Sequence, residues 1–481
     1  MRYPRVLLVA PSYPGGYFGG VRPPVGLGYI EELLSASGVS TFAHDMNLGG
    51  GAPRLLRRIR DRRPDLLGLT LMTYQYRSTY RLIEEVKRAF PDLPIVVGGA
   101  HVSAIEGAVL SECPAIDFAV AGEGELPMKD LCLGAPIEAI RGLHSRRGRA
   151  IICGGPRAFV TDLDALPFPR FRSYPLHRYT NEIEISTSRG CPHECIFCSV
   201  PSHMGRRIRY RSAKLVGEEL SYFHRLGVRS FQIGDDNFLA HRGRIMELLG
   251  EITARRLDGA VLRCGQGIRA DLIDEPVLRA MKRAGFRQLG IGVESGSDRV
   301  LRTICKHLTV EQIDRAVRLA CELGFEVTLL FVVGTPGETL ADVERSIALA
   351  ERHPVMKAHF FNLVPFPGTA LGDWAVESGA LLSSYEDTFN RADEWKLRAA
   401  PFFETKEMPE ADRVRAQIMT ARASRGIQVR ALERRLARFG VAGKIAAQAG
   451  RINALERLFV GWRPLRRVLD RVMFGGRRVE S

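Results

Sequence analysis

Short hydrophobic runs alternate with amphipathic stretches over residues 1 to about 150. Runs typical of buried β-strands occupy residues 6–10, 41–44, 66–70, 95–99 and 118–122. Between them, hydrophobic residues recur at helical spacing, and Leu82, Ile83 and Val86 are one example. Apolar strands that alternate with helices are typical of a parallel sheet covered on both faces. We therefore predict an α/β fold whose N-terminal domain, residues 1–150, is a doubly wound Rossmann-like or flavodoxin-like parallel sheet.

A second α/β unit follows a connector that contains four prolines, residues 151–180. Its predicted strands are residues 183–187, 230–234, 262–265, 288–293, 327–333 and 358–363. Helical patterns separate these strands, so the unit has six strand and helix repeats. Such repeats predict a partial (β/α)6 barrel of the TIM type over residues 181–400, with its chemistry at the carboxyl ends of the strands.

The strand pattern stops near residue 403, and a basic, helical C-terminal region is predicted over residues 401–481. Residues 411–481 contain 17 Lys and Arg against 5 Asp and Glu, a net charge of +12. One interpretation is a helical cap on the barrel with a solvated basic face. The other is peripheral attachment at the inner face of a membrane, where Phe459, Trp462 and Leu465 would enter the lipid interface.

Composition narrows the class of protein. The chain has 481 residues, of which 45% are hydrophobic, and its net charge of +15 leaves only +3 for residues 1–410. Aromatic residues do not interleave the C-terminal arginines as stacking platforms for bases would, so a nucleic-acid partner is not expected. No apolar run reaches the ~20 residues of a membrane span. Nine cysteines without a signal-peptide pattern indicate reduced thiols and a cytoplasmic location.

Three cysteines directly after the first barrel strand are the strongest chemical signal. Cys191, Cys195 and Cys198 lie within eight residues, on a loop at the carboxyl end of a predicted strand. A structural zinc site ordinarily has four protein ligands, and no second cysteine pair is nearby in the sequence. Three thiolates on a four-iron cluster would leave one iron open. Zinc and an iron–sulfur cluster both remain candidates at this point.

The Cys-x3-Cys-x2-Cys spacing, with Phe197 before the last cysteine, resembles the cluster loop of radical S-adenosylmethionine (SAM) enzymes. The resemblance implies that Cys191, Cys195 and Cys198 bind a [4Fe-4S] cluster whose open iron chelates SAM. It also implies that Phe197 packs against the adenine, and that an electron donor such as flavodoxin or ferredoxin reduces the cluster.

Later barrel segments extend this resemblance over residues 181 to about 370. Asp235 and Asp236 end the second strand, where the family places polar groups near the methionine ammonium. Glu294 ends the fourth strand, and Gly337 lies in a glycine–proline turn after the fifth. The resemblance implies that these four residues help to bind SAM.

Glycine-rich strand ends in the first domain are similar to those of the cobalamin-binding domain of cobalamin-dependent radical SAM enzymes. The implied cobalamin contacts are Gly26, Gly28, Gly98, Gly99, Gly122 and Glu123. The Asp-x-His-x-x-Gly motif that supplies an axial histidine to cobalt does not occur, since the sequence at His44 has the wrong order. We expect no histidine on the lower face of the cobalt. A domain of this fold that has lost the cofactor is the alternative.

A radical generator and a methyl carrier in one chain together imply a C-methyltransferase that acts on an unactivated carbon. The alternative within the family is a cyclase or oxidoreductase acting on a hydrophobic or natural-product substrate. Alternatives from other classes are a binding or scaffold protein with a degenerate cluster site and a nucleic-acid modifier. The substrate is expected to be a small molecule, and a lipid if the tail binds membranes.

The remaining cysteines lie in apolar patterns, which predicts small buried side chains rather than ligands. They are Cys113, Cys132, Cys153, Cys264, Cys305 and Cys321.

Overall fold

The computed structural model describes residues 1–12, 21–148, 150–385, 387 and 401–437. The first sheet has seven strands: β1 (Arg5–Ala10), β2 (Ser40–Asp45), β3 (Leu66–Thr70), β4 (Ile95–Gly98), β5 (Phe118–Val120), β6 (Leu143–Arg147) and β7 (Ala150–Cys153). Their order is β2-β1-β3-β4-β5-β6-β7, and the first five run parallel. The order 2-1-3-4-5 is the flavodoxin-like form of the predicted doubly wound sheet, which is confirmed.

Helices cover both faces of this sheet because its strands are hydrophobic on both sides. They are α1 (Val25–Ala36), α2 (Gly51–Arg62), α3 (Tyr76–Ala89), α4 (Ala100–Ile105), α5 (Ala108–Glu112) and α6 (Glu125–Leu133). On α3, Leu82, Ile83 and Val86 are buried as the spacing predicted.

A hairpin formed by β6 and β7 extends the sheet in antiparallel fashion, and the sequence analysis did not predict it. The outer part of β6 is exposed and carries two arginines, so it lacks the apolar run of the central strands. Cys153 lies on the edge strand β7 and is exposed, so its predicted burial is wrong. Cys113, Cys132 and Cys264 are buried as predicted, whereas Cys305 and Cys321 are half-buried.

The second sheet is entirely parallel and contains the six predicted strands. They are β8 (Glu182–Ile185), β11 (Ser230–Ile233), β12 (Val261–Ile268), β13 (Phe286–Glu294), β14 (Glu326–Val333) and β15 (Lys357–Asn362). Their order is β15-β14-β13-β12-β11-β8, so each new strand joins one edge in sequence. Two short strands, β9 (Ser188–Arg189) and β10 (Arg209–Tyr210), form a separate antiparallel ribbon. The sheet and its helices confirm the predicted partial barrel.

Helices follow most strands of the barrel. They are α7 (Val200–His203), α8 (Ala213–Arg225), α9 (Arg242–Ala254), α10 (Glu275–Arg283), α11 (Asp298–Thr303), α12 (Val310–Glu322), α13 (Leu340–Arg352) and α14 (Ala370–Glu377). Side-chain caps define several N-termini: Thr309 and Thr339 each form a capping box with the residue three positions on. The barrel core is one continuous hydrophobic cluster, which holds the strand ends in fixed positions.

The last described helix, α15 (Glu410–Leu436), packs along β15 and α13. Arg413 on this helix is buried and donates a hydrogen bond to the carbonyl oxygen of Gly334, at 2.8 Å. Ser424 donates to the carbonyl oxygen of Ala358 on β15, at 2.7 Å. The predicted helical cap on the barrel therefore exists over residues 410–436. The predicted interfacial residues Phe459, Trp462 and Leu465 lie outside the described residues.

No described helix combines the length and hydrophobicity required to span a bilayer. The predicted boundaries at residues 150, 180 and 400 remain predictions.

Candidate functional site

The cysteine loop begins just after β8, and Asp235 at the end of β11 holds its base. This carboxylate accepts hydrogen bonds from the Thr187 amide (2.6 Å), the Thr187 hydroxyl (2.5 Å) and the Ser188 hydroxyl (2.6 Å). Asp235 is 3% exposed, and both of its oxygens are occupied. These hydrogen bonds fix the loop that carries the cysteines, and the predicted contact between Asp235 and SAM remains a prediction.

Asp236 fixes the next turn of the same loop. Its carboxylate accepts a hydrogen bond from the Gly190 amide at 3.0 Å. Gly190 has φ +92°, and a Cβ at this position would lie 2.5 Å from the carbonyl oxygen of Arg207, so glycine is required here. The Cys191 amide then donates to the carbonyl oxygen of Gly205 at 3.2 Å. Burial raises the pKa of Asp236 above its ordinary value.

Backbone hydrogen bonds dock the cysteine loop onto the segment after α11. The Ile196 amide donates to the carbonyl oxygen of Ile304 at 3.2 Å, and the Cys195 thiol lies 3.9 Å from the carbonyl oxygen of Cys305. Phe197 is partly buried beside the cores of both domains. The loop is therefore held at its base, its middle and its far side.

All three thiols of the loop are half-buried. Burial raises the pKa of Cys191, Cys195 and Cys198, the last to about 11. Electrostatic repulsion from Cys191 also raises the pKa of Cys195, and repulsion from Cys195 and Cys191 raises the pKa of Cys198. Within the part of the chain that the structure describes, no three His, Cys, Asp or Glu side chains form a ready binding site for a metal ion.

A buried ion pair lies beside the loop at the end of β13. The Lys306 ammonium lies 2.8 Å from the Glu294 carboxylate, and both side chains are nearly inaccessible. Glu294 has φ +64°, which is unusual for a residue with a Cβ and often marks a functional site. The Arg269 guanidinium donates to the carbonyl oxygen of Lys306 at 3.0 Å. Arg269 and Lys306 are thus two cations close to the thiols.

The turn after β14 contains buried polar atoms that have no partner among the described residues. Glu338 accepts hydrogen bonds from the amides of Gly334 (2.5 Å) and Thr335 (3.1 Å) through one carboxylate oxygen. Its other oxygen and the Thr335 hydroxyl are buried and unpartnered. Burial raises the pKa of Glu338 to about 7. Gly337 has φ +73°, and its carbonyl oxygen accepts a hydrogen bond from Arg299 at 2.6 Å.

The ends of β3 and β4 form the expected ligand edge of the first domain. Gly99 has φ +113°, and a Cβ there would lie 2.8 Å from the carbonyl oxygen of Leu71, whereas Gly98 has room for one. His101 stacks on Tyr76 with ring centroids 4.4 Å apart, and burial lowers the pKa of His101 to about 4. Nε2 of His101 and Oε1 of Gln75 are buried without a partner among the described residues.

Three further predicted cobalamin contacts differ in how open they are. At Gly26 a notional Cβ would have no neighbour within 4 Å among the residues that the structure describes. Gly122 has φ +85° and contacts the stem of Arg157. Gly28 faces the connector, because a Cβ there would collide with Phe171 and Pro169. The structure therefore gives Gly28 a packing role between the domain and the connector.

Glu123, the last predicted cobalamin contact, lies in a buried ionic bridge between the two domains. Its carboxylate lies 2.9 Å from Arg189 and 2.6 Å from Arg209, and it also accepts a hydrogen bond from the Val160 amide at 2.6 Å. Arg189 makes a second ion pair with Glu125 at 2.7 Å. Both oxygens of Glu123 are thus occupied, and a contact with cobalamin would compete with two arginines.

This ionic bridge joins the ligand edge of the first domain to the cysteine loop. Arg189 and Arg209 are paired in the β9–β10 ribbon, and Arg189 lies two residues before Cys191. The Arg189 guanidinium also lies 4.7 Å from the centre of the Tyr29 ring on α1. Buried charges of this kind are tolerated only when they are fully paired, so the bridge is specific to this arrangement of the domains.

The residues present fit the expected cofactors. Three thiols beside two cations suit an iron–sulfur cluster, whose thiolates carry negative charge. The unpartnered Thr335 hydroxyl and Glu338 oxygen suit the polar groups of SAM. The unpartnered Gln75 and His101 atoms suit the amide side chains at the rim of cobalamin. Buried polar atoms without partners are costly, which favours a ligand at each place.

Together, a flavodoxin-like domain and a partial barrel with three cysteines after its first strand define a two-domain cofactor-dependent enzyme. Comparison with known families agrees: the Radical SAM superfamily profile matches residues 185–350, and the B12 binding domain profile matches residues 14–132. The chain belongs to the radical SAM superfamily, among the enzymes that carry a B12-binding domain before the barrel. The predicted family, enzyme class and set of cofactors, a [4Fe-4S] cluster, SAM and cobalamin, are confirmed.

Similar proteins include methyltransferases and a cyclase. The "uncharacterized methyltransferase PH0819" of Pyrococcus horikoshii is 30% identical over 401 residues, 80% of this chain and 85% of that protein. The anaerobic magnesium-protoporphyrin IX monomethyl ester cyclase of Rubrivivax gelatinosus is 26% identical, over 76% and 68% of the two chains. The methyltransferase TsrM from Kitasatospora setae, solved with cobalamin and a [4Fe-4S] cluster, has a TM-score of 0.69 at 21% identity, over 78% and 75% of the chains.

Four residues of the site were not predicted from the sequence: Arg189, Arg209, Glu125 and Arg269. Arg189 lies in the Ser-Arg-Gly-Cys run, so its proximity to the cysteines was visible. Its partners were not, because they lie 64 and 66 residues earlier in the chain.

Proposed function

We propose that the protein is a C-methyltransferase that acts on an unactivated carbon of a small molecule. The observation that carries the proposal is the buried ionic bridge, which connects the predicted cobalamin edge to the cluster loop. When bound, the cofactors supply radical hydrogen abstraction and methyl transfer. The methyltransferase relative that spans most of both chains supports methylation over the alternatives.

In this proposal, Cys191, Cys195 and Cys198 hold the cluster. Asp235 keeps their loop in place through its hydrogen bonds to Thr187 and Ser188. Asp236 has one oxygen bonded to the Gly190 amide and retains acceptor capacity for an ammonium group.

Glu294, Gly337 and Phe197 remain our proposed SAM contacts. Glu294 is already neutralised by Lys306, so a SAM contact through it would be made by the ion pair as a unit. Gly337 leaves the turn after β14 open to close approach, beside the unpartnered Thr335 hydroxyl.

Gly26, Gly98, Gly99 and Gly122 remain our proposed cobalamin contacts. Gly99 and Gly122 adopt backbone conformations that favour glycine, at the carboxyl ends of adjacent strands. We assign Glu123 and Gly28 to domain positioning.

A direct test uses anaerobic protein reconstituted with iron, sulfide and cobalamin and given methyl-labelled SAM with a reductant. Methyl transfer predicts S-adenosylhomocysteine together with 5′-deoxyadenosine once a substrate is supplied. Replacing Cys191, Cys195 or Cys198 by alanine is expected to lower bound iron and abolish 5′-deoxyadenosine, with Cys153→Ala as the matched exposed-cysteine control. Full iron content in any of the three loop variants would contradict the assignment of the ligands.

The second candidate is a cyclase or other oxidative radical enzyme, which the Rubrivivax gelatinosus relative supports. Cyclisation needs no methyl donor. 5′-Deoxyadenosine without S-adenosylhomocysteine in the same assay would therefore favour this candidate over methylation.

We further propose that a small reductant protein such as flavodoxin or ferredoxin supplies the electron, in the cytoplasm. Peripheral membrane contact through the basic C-terminal region depends on residues outside the described part of the chain. Deletion of residues after 450 should abolish co-sedimentation with anionic vesicles and leave iron content unchanged. Unchanged co-sedimentation would exclude membrane contact through this region, and with it the main reason to expect a lipid substrate.

A further inference from the structure

An arginine-lined groove lies on the first domain, beside α2. The groove is open to solvent, and its volume along one face of α2 is about 650 Å³. Its lining consists of Gly50, Pro53, Arg54, Arg57, Arg58, Asp61 and Arg62. Because these positions recur every three or four residues, the four guanidinium groups lie along one stripe of the helix.

The arginines of this groove outnumber the acidic residues beside them in the described part of the chain. None of Arg54, Arg57, Arg58 and Arg62 forms an ion pair with a described residue, and Asp61 is the single carboxylate in the lining. Arg62 instead rests on the ring of Phe42, on the edge strand β2, with its guanidinium carbon 5.1 Å from the ring centre. Four positive charges on one stripe of a helix repel one another and make the electrostatic potential in the groove strongly positive.

Two buried nitrogen atoms next to the groove have no partner among the described residues. They are Nε of Arg58 and Nε2 of His44, and His44 is only 5% exposed. Burial, with a smaller contribution from the charges of Arg58 and Arg54, lowers the pKa of His44 to about 4, so this side chain is neutral at pH 7. Burial and the charges of Arg62 and Arg54 also lower the pKa of Arg58.

The N-terminus of α2 lies at one end of the groove, since Gly50 is part of the lining. Gly50 has the left-handed conformation, no side chain among the described residues caps the helix, and no acidic residue lies in its first turn. Arg54 folds back across Gly50, which only glycine permits because a Cβ would collide with this side chain. Because Pro53 has no amide hydrogen and the Arg54 amide donates to the carbonyl oxygen of Gly50, the first turn can offer an anion only the amides of Gly51 and Ala52.

We propose that this groove binds a phosphate-bearing ligand, separate from the radical site. The planar guanidinium group pairs with phosphate through two parallel hydrogen bonds, which suits four arginines on one stripe. A free phosphorylated molecule and the headgroup of an anionic lipid share this chemistry. The proposal does not depend on the methyltransferase reaction.

The test uses the full-length protein and inorganic pyrophosphate as the probe, titrated by calorimetry. Arg58→Ala should weaken pyrophosphate binding by at least about tenfold, since it removes a charged hydrogen-bond donor. Arg60→Ala is the matched control, because Arg60 lies on the same helix, is exposed and does not line the groove. The control should change the affinity by less than about twofold.

Stability measurements separate a binding defect from a folding defect. Without pyrophosphate, Arg58→Ala should melt at or above the temperature of the wild type, because one repulsive charge is gone. Pyrophosphate should then raise the melting temperature of the wild type and of Arg60→Ala but not of Arg58→Ala. Absence of pyrophosphate binding, or equal weakening by Arg58→Ala and Arg60→Ala, would overturn the proposal.

Two further arms identify the source of the phosphate. If phosphatidylglycerol vesicles displace pyrophosphate and phosphatidylcholine vesicles do not, the ligand is a lipid headgroup. If neither displaces it, the ligand is a free phosphorylated molecule, and both results support the site. Release of bound cobalamin by pyrophosphate would overturn the proposal, because the groove would then belong to the cobalamin site.

Discussion

Replacing Arg189 by methionine tests whether the ionic bridge positions the cluster loop. In the folded protein, Arg189 lies 2.9 Å from Glu123 and 2.7 Å from Glu125, and all three side chains are at least nine-tenths buried. Methionine retains much of the side-chain volume but removes the charge. Glu123 keeps Arg209, at 2.6 Å, whereas Glu125 loses its charged partner.

The expected loss of stability is large, because breaking a buried ion pair leaves an uncompensated charge. Such a change costs about 3–5 kcal/mol. The double variant Arg189→Met with Glu125→Gln also removes the unpaired charge of Glu125, so it should be more stable than Arg189→Met alone. Arg189→Lys should be intermediate, because lysine keeps the charge but cannot bridge two carboxylates with one planar fork.

The assay combines denaturant unfolding of the apoprotein with electron paramagnetic resonance of the reduced, reconstituted protein. A positioning role predicts that Arg189→Met alters the cluster signal and its response to SAM. Glu32→Gln is the matched control, since Glu32 is a buried carboxylate that pairs with Arg170 (2.8 Å) and Arg172 (3.0 Å) on the connector. The control should lose stability and keep the cluster signal.

The reasoning would be refuted in either of two ways. If the free energy of unfolding of Arg189→Met lay within about 0.5 kcal/mol of that of the wild type, the bridge would contribute little to the stability of the fold. An unchanged cluster signal in Arg189→Met, with lowered stability, would mean that the bridge supports the fold without positioning the loop.

Three other changes give separate tests. The pKa of Glu338 is about 7 in the folded protein against 4.5 ordinarily, so this carboxyl lowers stability as pH rises from about 4.5 to about 7, by up to about 3 kcal/mol. Glu338→Gln should therefore gain thermal stability relative to the wild type over that interval, and a constant difference would contradict the raised pKa. Gly190→Ala should lower bound iron, because Gly190 needs a positive φ, whereas Gly250→Ala, in open space on α9, should keep iron at the wild-type level. Arg413→Met should lower the free energy of unfolding by about 1–3 kcal/mol, because it removes the hydrogen bond to Gly334. Thermal melting followed by circular dichroism measures this change. An unchanged melting temperature would mean that α15 does not support the barrel.

The positions of the barrel strands are determined by short segments of the sequence. Each predicted barrel strand exists within a few residues of its hydrophobic run, because a buried parallel strand needs consecutive apolar residues. The β6–β7 hairpin escaped prediction because the outer end of β6 is polar and exposed, and the β9–β10 ribbon escaped it because each of its strands has only two residues. The cysteine spacing was also local information, since three thiols on one loop need no other segment to be recognised.

The roles of the acidic residues depended on distant partners. Asp235 and Glu123 both lie at strand ends where polar residues commonly bind ligands, and their sequence context does not separate binding from positioning. Asp235 bonds a loop 47 and 48 residues earlier, and Glu123 pairs with arginines 66 and 86 residues later. Hydrophobic periodicity and ligand spacing are properties of short segments, so the sequence determined the fold class and the cluster loop. Pairing of buried charges requires segments brought together from far apart, so only the tertiary structure decided which carboxylates are occupied.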